Sequence, residues 1–244
     1  LGSGLHGLCL ALVSLGWGSV IGTRNEGSLH ASLKEYYARP GDMVEASVDG
    51  YVIDVVQEDR LVEIQTANFG ALKGKLAHLL NSHQVLLVYP IAVERHLVHI
   101  APETGELLGT RKSPKKGTVY DLFSELVRIP HLLNHPRLSV EAALVRDREI
   151  RCADGKGSWR RRRVSIVDRR LVQVVEQRSF ATRADYLGLL PQALICPFTN
   201  KELAKACKIS VSQARRVTYT LKKAGFLAEV GKIGNEILHE RVHD

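Results

Sequence analysis

The chain has 244 residues, 45% of them hydrophobic and 25% charged, enough for one large domain or two modest ones with a buried core. Its 34 Lys and Arg against 26 Asp and Glu leave a formal net charge of +8, which favours a polyanion, either nucleic acid or an anionic membrane surface, over an acidic partner. The four cysteines, Cys9, Cys152, Cys196 and Cys207, form no CxxC pair, which argues against a zinc knuckle or disulfide framework and suits a reducing cytoplasm.

Residues 1–28 mix Gly, Ser and one short apolar run that lacks the charged leading region of a signal sequence and the length of a membrane span. They are read as a poorly structured extension, with a buried strand pair as the alternative. From Leu29 the spacing of Leu29, Leu33, Tyr36 and Tyr37 predicts a helix, capped by Ser28 and ended by Pro40 and Gly41. Val- and Ile-rich runs over 42–56 and 60–67 predict strands, the last two joined by the turn Gln57-Glu58-Asp59-Arg60. A helix over 68–83 follows, carrying Phe69, Leu72, Leu76, Leu79 and Leu80. The continuous apolar run 84–92 reads as a strand buried on both faces.

A second hairpin over 95–109 leads into the basic stretch 110–118, read as a solvated linker and a domain boundary. One helix is expected over 119–133, then strands alternating with charge. Residues 146–178 hold eleven Lys and Arg against five acids, and the run Trp159 to Arg163 reads as a strand that contacts phosphate with alternate arginines. In the last fifty residues Thr199/Glu202 and Ser210/Gln213 read as capping boxes opening two helices, with Gly225 closing the second and a hairpin turning over 231–235.

Two sets of residues carry chemistry. If the turn at 57–60 closes a four-residue loop, Val56 faces Leu61, and Asp54 therefore faces Glu63 across the ladder. Facing carboxylates repel unless a cation offsets them. Gln65 shares their face, while Ile53, Val55, Val62 and Ile64 point to the opposite one. Either the pair holds a metal or it is tied into a structural network with Lys73, Lys75 or Arg60. Near the other end, the second capped helix turns Ser212, Gln213, Arg215, Arg216, Thr218, Tyr219, Lys222 and Lys223 away from its apolar stripe. Polar side chains near its start can reach base edges, and arginines can grip guanine or phosphate.

Asp54 with Glu63-Ile64-Gln65, in the order helix, three strands, helix, strand, resembles the PD-(D/E)xK nuclease superfamily over residues 29 to about 100. Gln65 stands where that pattern usually has Lys. The resemblance implies an α/β (α+β) restriction-endonuclease-like mixed sheet flanked by helices, and a Mg²⁺ (or Mn²⁺) ion held by Asp54 and Glu63. Gln65 would orient the attacking water, Glu35 would add an acid from the first helix, and Lys73 would replace the missing positive charge. Residues 191–244 resemble winged helix-turn-helix regulators, with Lys232 near the wing. The expected organisation is thus an extension at 1–28, a nuclease-like domain at 29–115, a helix and basic hairpin region at 116–190 and a winged helix at 191–244. The expected activity is hydrolysis of double-stranded DNA in the cytoplasm with no membrane partner; a homodimer would serve cutting of both strands. The alternative is a non-catalytic DNA-binding regulator that keeps the nuclease-like scaffold.

Overall fold

The computed structural model describes residues 27–242; the expected extension lies almost wholly outside them. Helix α1 (Ser28–Tyr37) is followed by strands β1 (Met43–Val48), β2 (Tyr51–Val56) and β3 (Leu61–Ile64), helix α2 (Lys73–Leu79) and strands β4 (Val85–Ile100) and β5 (Leu107–Lys112). After α3 (Phe123–Leu126) come the long strands β6 (Leu138–Cys152) and β7 (Ser165–Phe180), helices α4 (Arg183–Leu187), α5 (Asn200–Cys207) and α6 (Val211–Lys223), and the hairpin β8 (Leu227–Ile233) and β9 (Glu236–Arg241). The fold is mixed α/β. One large mixed sheet runs β1-β2-β3-β4-β6-β7, with β5 paired to β4, and helices flank it. Strands β3, β4 and β6 are mutually parallel and the other pairings antiparallel.

Two apolar layers form because β4 alternates its side chains across the sheet. Leu86 and Val88 join Leu29, Leu33 and Tyr37 of α1, while Val85 and Leu87 join Leu76 and Leu79 of α2. Each fully buried leucine contributes on the order of 2 kcal/mol. The second layer continues without a break through Phe123 and Tyr186 to Leu203, Val217 and Phe226, across the boundary expected at 190. Tyr186 stacks between Phe180 and Phe226 at 5.3 and 5.7 Å.

Both capping boxes form as expected: Thr199 and Ser210 accept hydrogen bonds from the backbones of Glu202 and Gln213. Several local expectations are corrected. Ser28 opens α1 but does not cap it; its N–H and hydroxyl donate to Asp168 of β7 at 3.2 and 2.7 Å, so a distant carboxylate does that work. The single helix expected over 119–133 is broken into short pieces, the last starting at Pro130, which has no N–H to continue a helix. The arginine run is no strand. Trp159–Arg161 form a 3-10 turn, and Arg162 and Arg163 sit at positive φ.

Candidate active site

The turn at 57–60 closes as expected. Gln57 N donates to Arg60 O at 2.9 Å, and Val56 pairs with Leu61 and Val55 with Val62. The regular ladder then stops. Instead of backbone pairing, the Ile64 N–H donates to Asp54 Oδ2 at 2.7 Å, and Asp54 also drops out of the ladder with β1 opposite Glu45, which has positive φ. The strand twists at this point. Val55, Val62 and Ile64 share a face as expected and pack against α1, but Ile53 packs on the other side, among the side chains around α2.

That twist puts the two acids within reach of both layers. From α1, His30 Nε2 lies 3.2 Å from Asp54 Oδ2 and 2.9 Å from Ile64 O. From α2, Lys75 Nζ donates to Glu63 Oε2 and to Val52 O, both at 2.6 Å. The Glu63 and Lys75 side chains are only 10% and 14% exposed, so little solvent screens the pair. Burial pushes the Asp54 carboxyl up, but the His30 ring, the Ile64 N–H and the Lys75 charge outweigh it and hold the group below the usual range. At Glu63 burial and the neighbouring Asp54 charge win against Lys75, and its carboxyl is raised. Two neighbouring carboxyls are therefore shifted in opposite directions, a common arrangement where acid and base roles are divided.

Three residues expected at this site stand elsewhere. The Gln65 amide turns into its own loop and donates to Ala67 O at 2.5 Å. Glu35 is exposed on the side of α1 away from Leu29, Leu33 and Tyr37, and the α1 residue at the site is His30. Lys73 is also exposed, and the cation that reaches Glu63 is Lys75. Lys73 and Lys75 border opposite edges of the α2 leucine stripe, and only the Lys75 edge faces β3.

The donor set can be matched to a metal. Asp54 Oδ1 and Glu63 Oε1 carry no hydrogen bond among the described residues, whereas their partner oxygens are engaged. No cluster of three or more His, Cys, Asp or Glu side chains among the described residues forms a metal cage. Two free carboxylate oxygens suit Mg²⁺, which binds through one or two carboxylates and fills its shell with water and phosphate, and do not suit a Zn²⁺ site of four protein ligands.

On α6, Ser212, Arg215, Arg216, Tyr219 and Lys223 are exposed, as is Lys232 on β8. Others are engaged within the fold: Gln213 donates to Asp121 Oδ1 at 2.9 Å, buried Thr218 donates to Asn200 Oδ1 at 2.7 Å, and Lys222 pairs with Glu229. No helix among the described residues is long and apolar enough to cross a membrane.

No solved structure matches the chain significantly. An uncharacterized protein of Treponema pallidum (strain Nichols) is 35% identical over 181 residues, 72% of each chain. Residues 27–181, which carry the sheet, α1, α2 and both acids, match a family described as a domain of unknown function (DUF8091), and the chain belongs to that family.

Proposed function

We propose that the chain is a nucleic-acid-directed phosphodiesterase of PD-(D/E)xK type, with its hydrolytic centre at Asp54, Glu63 and Lys75. The observation that carries the reading is the Lys75–Glu63 contact beside Asp54. The ammonium missing from position 65 would come from α2, next to buried Glu63 on β3 and half-buried Asp54 on β2, where the β2–β3 ladder stops. The strand order and the helices on both faces support a restriction-endonuclease-like core. Helices α5 and α6 with the β8–β9 hairpin support a winged helix whose exposed Arg215, Tyr219 and Lys223 contact DNA.

Mg²⁺ or Mn²⁺, when bound, would be held by Asp54 and Glu63 and would polarise a phosphodiester and lower the pKa of a bound water. Asp54 is kept ionised by His30 and the Ile64 N–H, so it is a ready anionic ligand at neutral pH. Lys75, held by Glu63 and Val52 O, would place its ammonium where negative charge develops on the phosphoryl oxygens. His30 fixes the orientation of Asp54.

The test is incubation of the whole chain with supercoiled plasmid, linear duplex and single strand in Mg²⁺, Mn²⁺ or EDTA. Cation-dependent products should vanish in Glu63→Gln and Lys75→Ala and persist in Glu35→Gln, Gln65→Ala and Lys73→Ala. Products that survive Glu63→Gln, or an inert wild type that still binds DNA, would defeat the reading, the latter in favour of a DNA-binding regulator on the same scaffold.

A further inference from the structure

A cleft of about 480 Å³ opens past the end of β3, and neither Asp54 nor Glu63 lines it. Its wall includes Leu29, the neighbour of His30, and Thr66, two residues beyond Ile64. Six cationic side chains, each from a different segment, converge on it: Arg95 on β4, Lys115 in the basic stretch, Arg151 on β6, Arg161 after it, Arg169 on β7 and Arg216 on α6. Only three acids line it, Asp121, Asp147 and Glu149, and the cleft is net positive.

The arginines fall into two groups. Below, Asp147 and Glu149 are 0% and 2% exposed and serve as anchors. Arg95 forks onto Asp147 at 2.5 and 2.8 Å and reaches Glu149 at 2.8 Å, and Arg151 and Arg169 also bind Glu149, at 2.7 and 3.0 Å. Planar guanidiniums held this way keep outward N–H groups in fixed directions. Above, Lys115, Arg161 and Arg216 have no acidic partner among the described residues, and all three are exposed. Their charge is available to a ligand.

The basic stretch is not the solvated linker its composition suggests. Ser113 N donates to Arg95 O and Gly117 N to Ala92 O, both at 2.8 Å. A Cβ at Gly117 would lie 2.6 Å from Ile91 Cγ2 and 2.7 Å from Ala92 O, so glycine permits this close approach to β4. Lys115 is thereby held at the rim. The Tyr89 ring also lines the cleft, set perpendicular to Phe69, and can receive a base.

We propose that this cleft grips the phosphodiester backbone of a single-stranded segment of nucleic acid and leads it toward Asp54 and Glu63; the proposal rests on the nucleic-acid reading above. A cavity of this volume is in the range of small-ligand sites and admits one strand with an unstacked base, whereas a duplex needs an open surface. A positively charged groove beside an aromatic platform is how single strands are bound without sequence preference. The phosphate-binding role of Arg216 thus separates from that of its neighbour Arg215, which lies outside the cleft.

The experiment is fluorescence anisotropy on the whole chain in EDTA, with a dye-labelled oligothymidine and a blunt duplex of equal length as probes. Wild type should bind the single strand more tightly than the duplex. Lys115→Ala/Arg161→Ala/Arg216→Ala should weaken single-strand binding at least tenfold and reduce the log–log salt slope by about 2, at about 0.7 per lost contact. Arg39→Ala, which removes an exposed cation outside the cleft, should change single-strand affinity less than twofold. A triple variant within twofold of wild type, a preference for the duplex, or displacement of the oligonucleotide by micromolar thymidine monophosphate would each overturn the proposal, the last by making the cleft a nucleotide pocket. Binding in EDTA needs no hydrolysis. Cleavage by a protein whose triple variant binds normally therefore sinks the cleft alone, and cleft binding by an inert protein sinks the hydrolytic centre alone.

Discussion

Replacing Lys75 by Met isolates what holds the acid pair together. Met keeps most of the apolar stem and removes the ammonium from its contacts with Glu63 and Val52 O. Taking one partner from a buried ion pair costs about 3–5 kcal/mol, since it leaves an uncompensated charge. Glu63 recovers part of that by taking up a proton, which places the expected loss near the lower end, about 3 kcal/mol at pH 8. For a chain of this length each kcal/mol moves the melting midpoint by about 2–4 °C, so the midpoint should fall by about 6–12 °C. The loss depends on pH with a definite sign. Burial and the Asp54 charge raise Glu63 in the folded protein above its unfolded value, so the folded state binds this proton more tightly and stability falls as pH rises between the two values. Without Lys75 that interval widens upward. The deficit of Lys75→Met should therefore be small at pH 4 and largest at pH 8, and Glu63→Gln in the same chain should recover most of it. Urea and thermal melts followed by circular dichroism at pH 4, 6 and 8 measure this. A deficit independent of pH, or a midpoint within 1 °C of wild type at pH 8, would mean that Lys75 does not hold Glu63 ionised in the folded protein.

Asp168→Ala removes both acceptors from Ser28 and should cost about 1 kcal/mol, read as faster hydrogen exchange of the first-turn amides of α1 with the rest of the sheet unchanged. Thr199→Ala and Ser210→Ala should each cost about 0.5–2 kcal/mol through lost capping, and an unchanged urea midpoint in either would mean that the box does not support its helix. Arg95→Ala strips Asp147 of its cation, while Glu149 keeps Arg151 and Arg169; a loss of about 3–5 kcal/mol is expected in chemical denaturation, and a cost below 1 kcal/mol would show that water takes over.

The hairpin of Asp54 and Glu63 is legible in the sequence because its register depends on one short turn and on the two runs that turn joins. The capping boxes are legible for the same reason, each spanning only four residues. Lys75 is legible only as one of three cations, with Lys73 and Arg60, that could tie the acids into a network; Lys73 and Lys75 both flank the leucine stripe of α2, and the choice between them depends on which edge the tertiary packing turns toward β3. The α1 residue is closer to readable. Its apolar positions Leu29, Leu33 and Tyr37 place His30 on the flank of the buried face and Glu35 on the far side, so helical phase alone separates the two. The cleft as a site has no local signal, although Lys115, Arg151, Arg161, Arg169 and Arg216 all fall in stretches whose positive charge stands out in the sequence. Its cations are separated by up to 121 positions, from Arg95 to Arg216, and only the parallel pairing of β4 with β6 and the packing of α6 bring them together. The departure of 110–118 from a solvated linker has the same origin: a charged segment is solvated by default, and the two backbone bonds that pin this one run to β4.

Single-turnover cleavage of an end-labelled strand at saturating Mg²⁺ decides whether Asp54, Glu63 and Lys75 form one hydrolytic centre. Asp54→Asn keeps an acceptor for the Ile64 N–H, so the fold should persist while the rate constant falls by at least about 10²-fold, with a comparable loss for Lys75→Met at a pH where that variant is folded. Equal rates in wild type and Asp54→Asn would remove Asp54 from the chemistry.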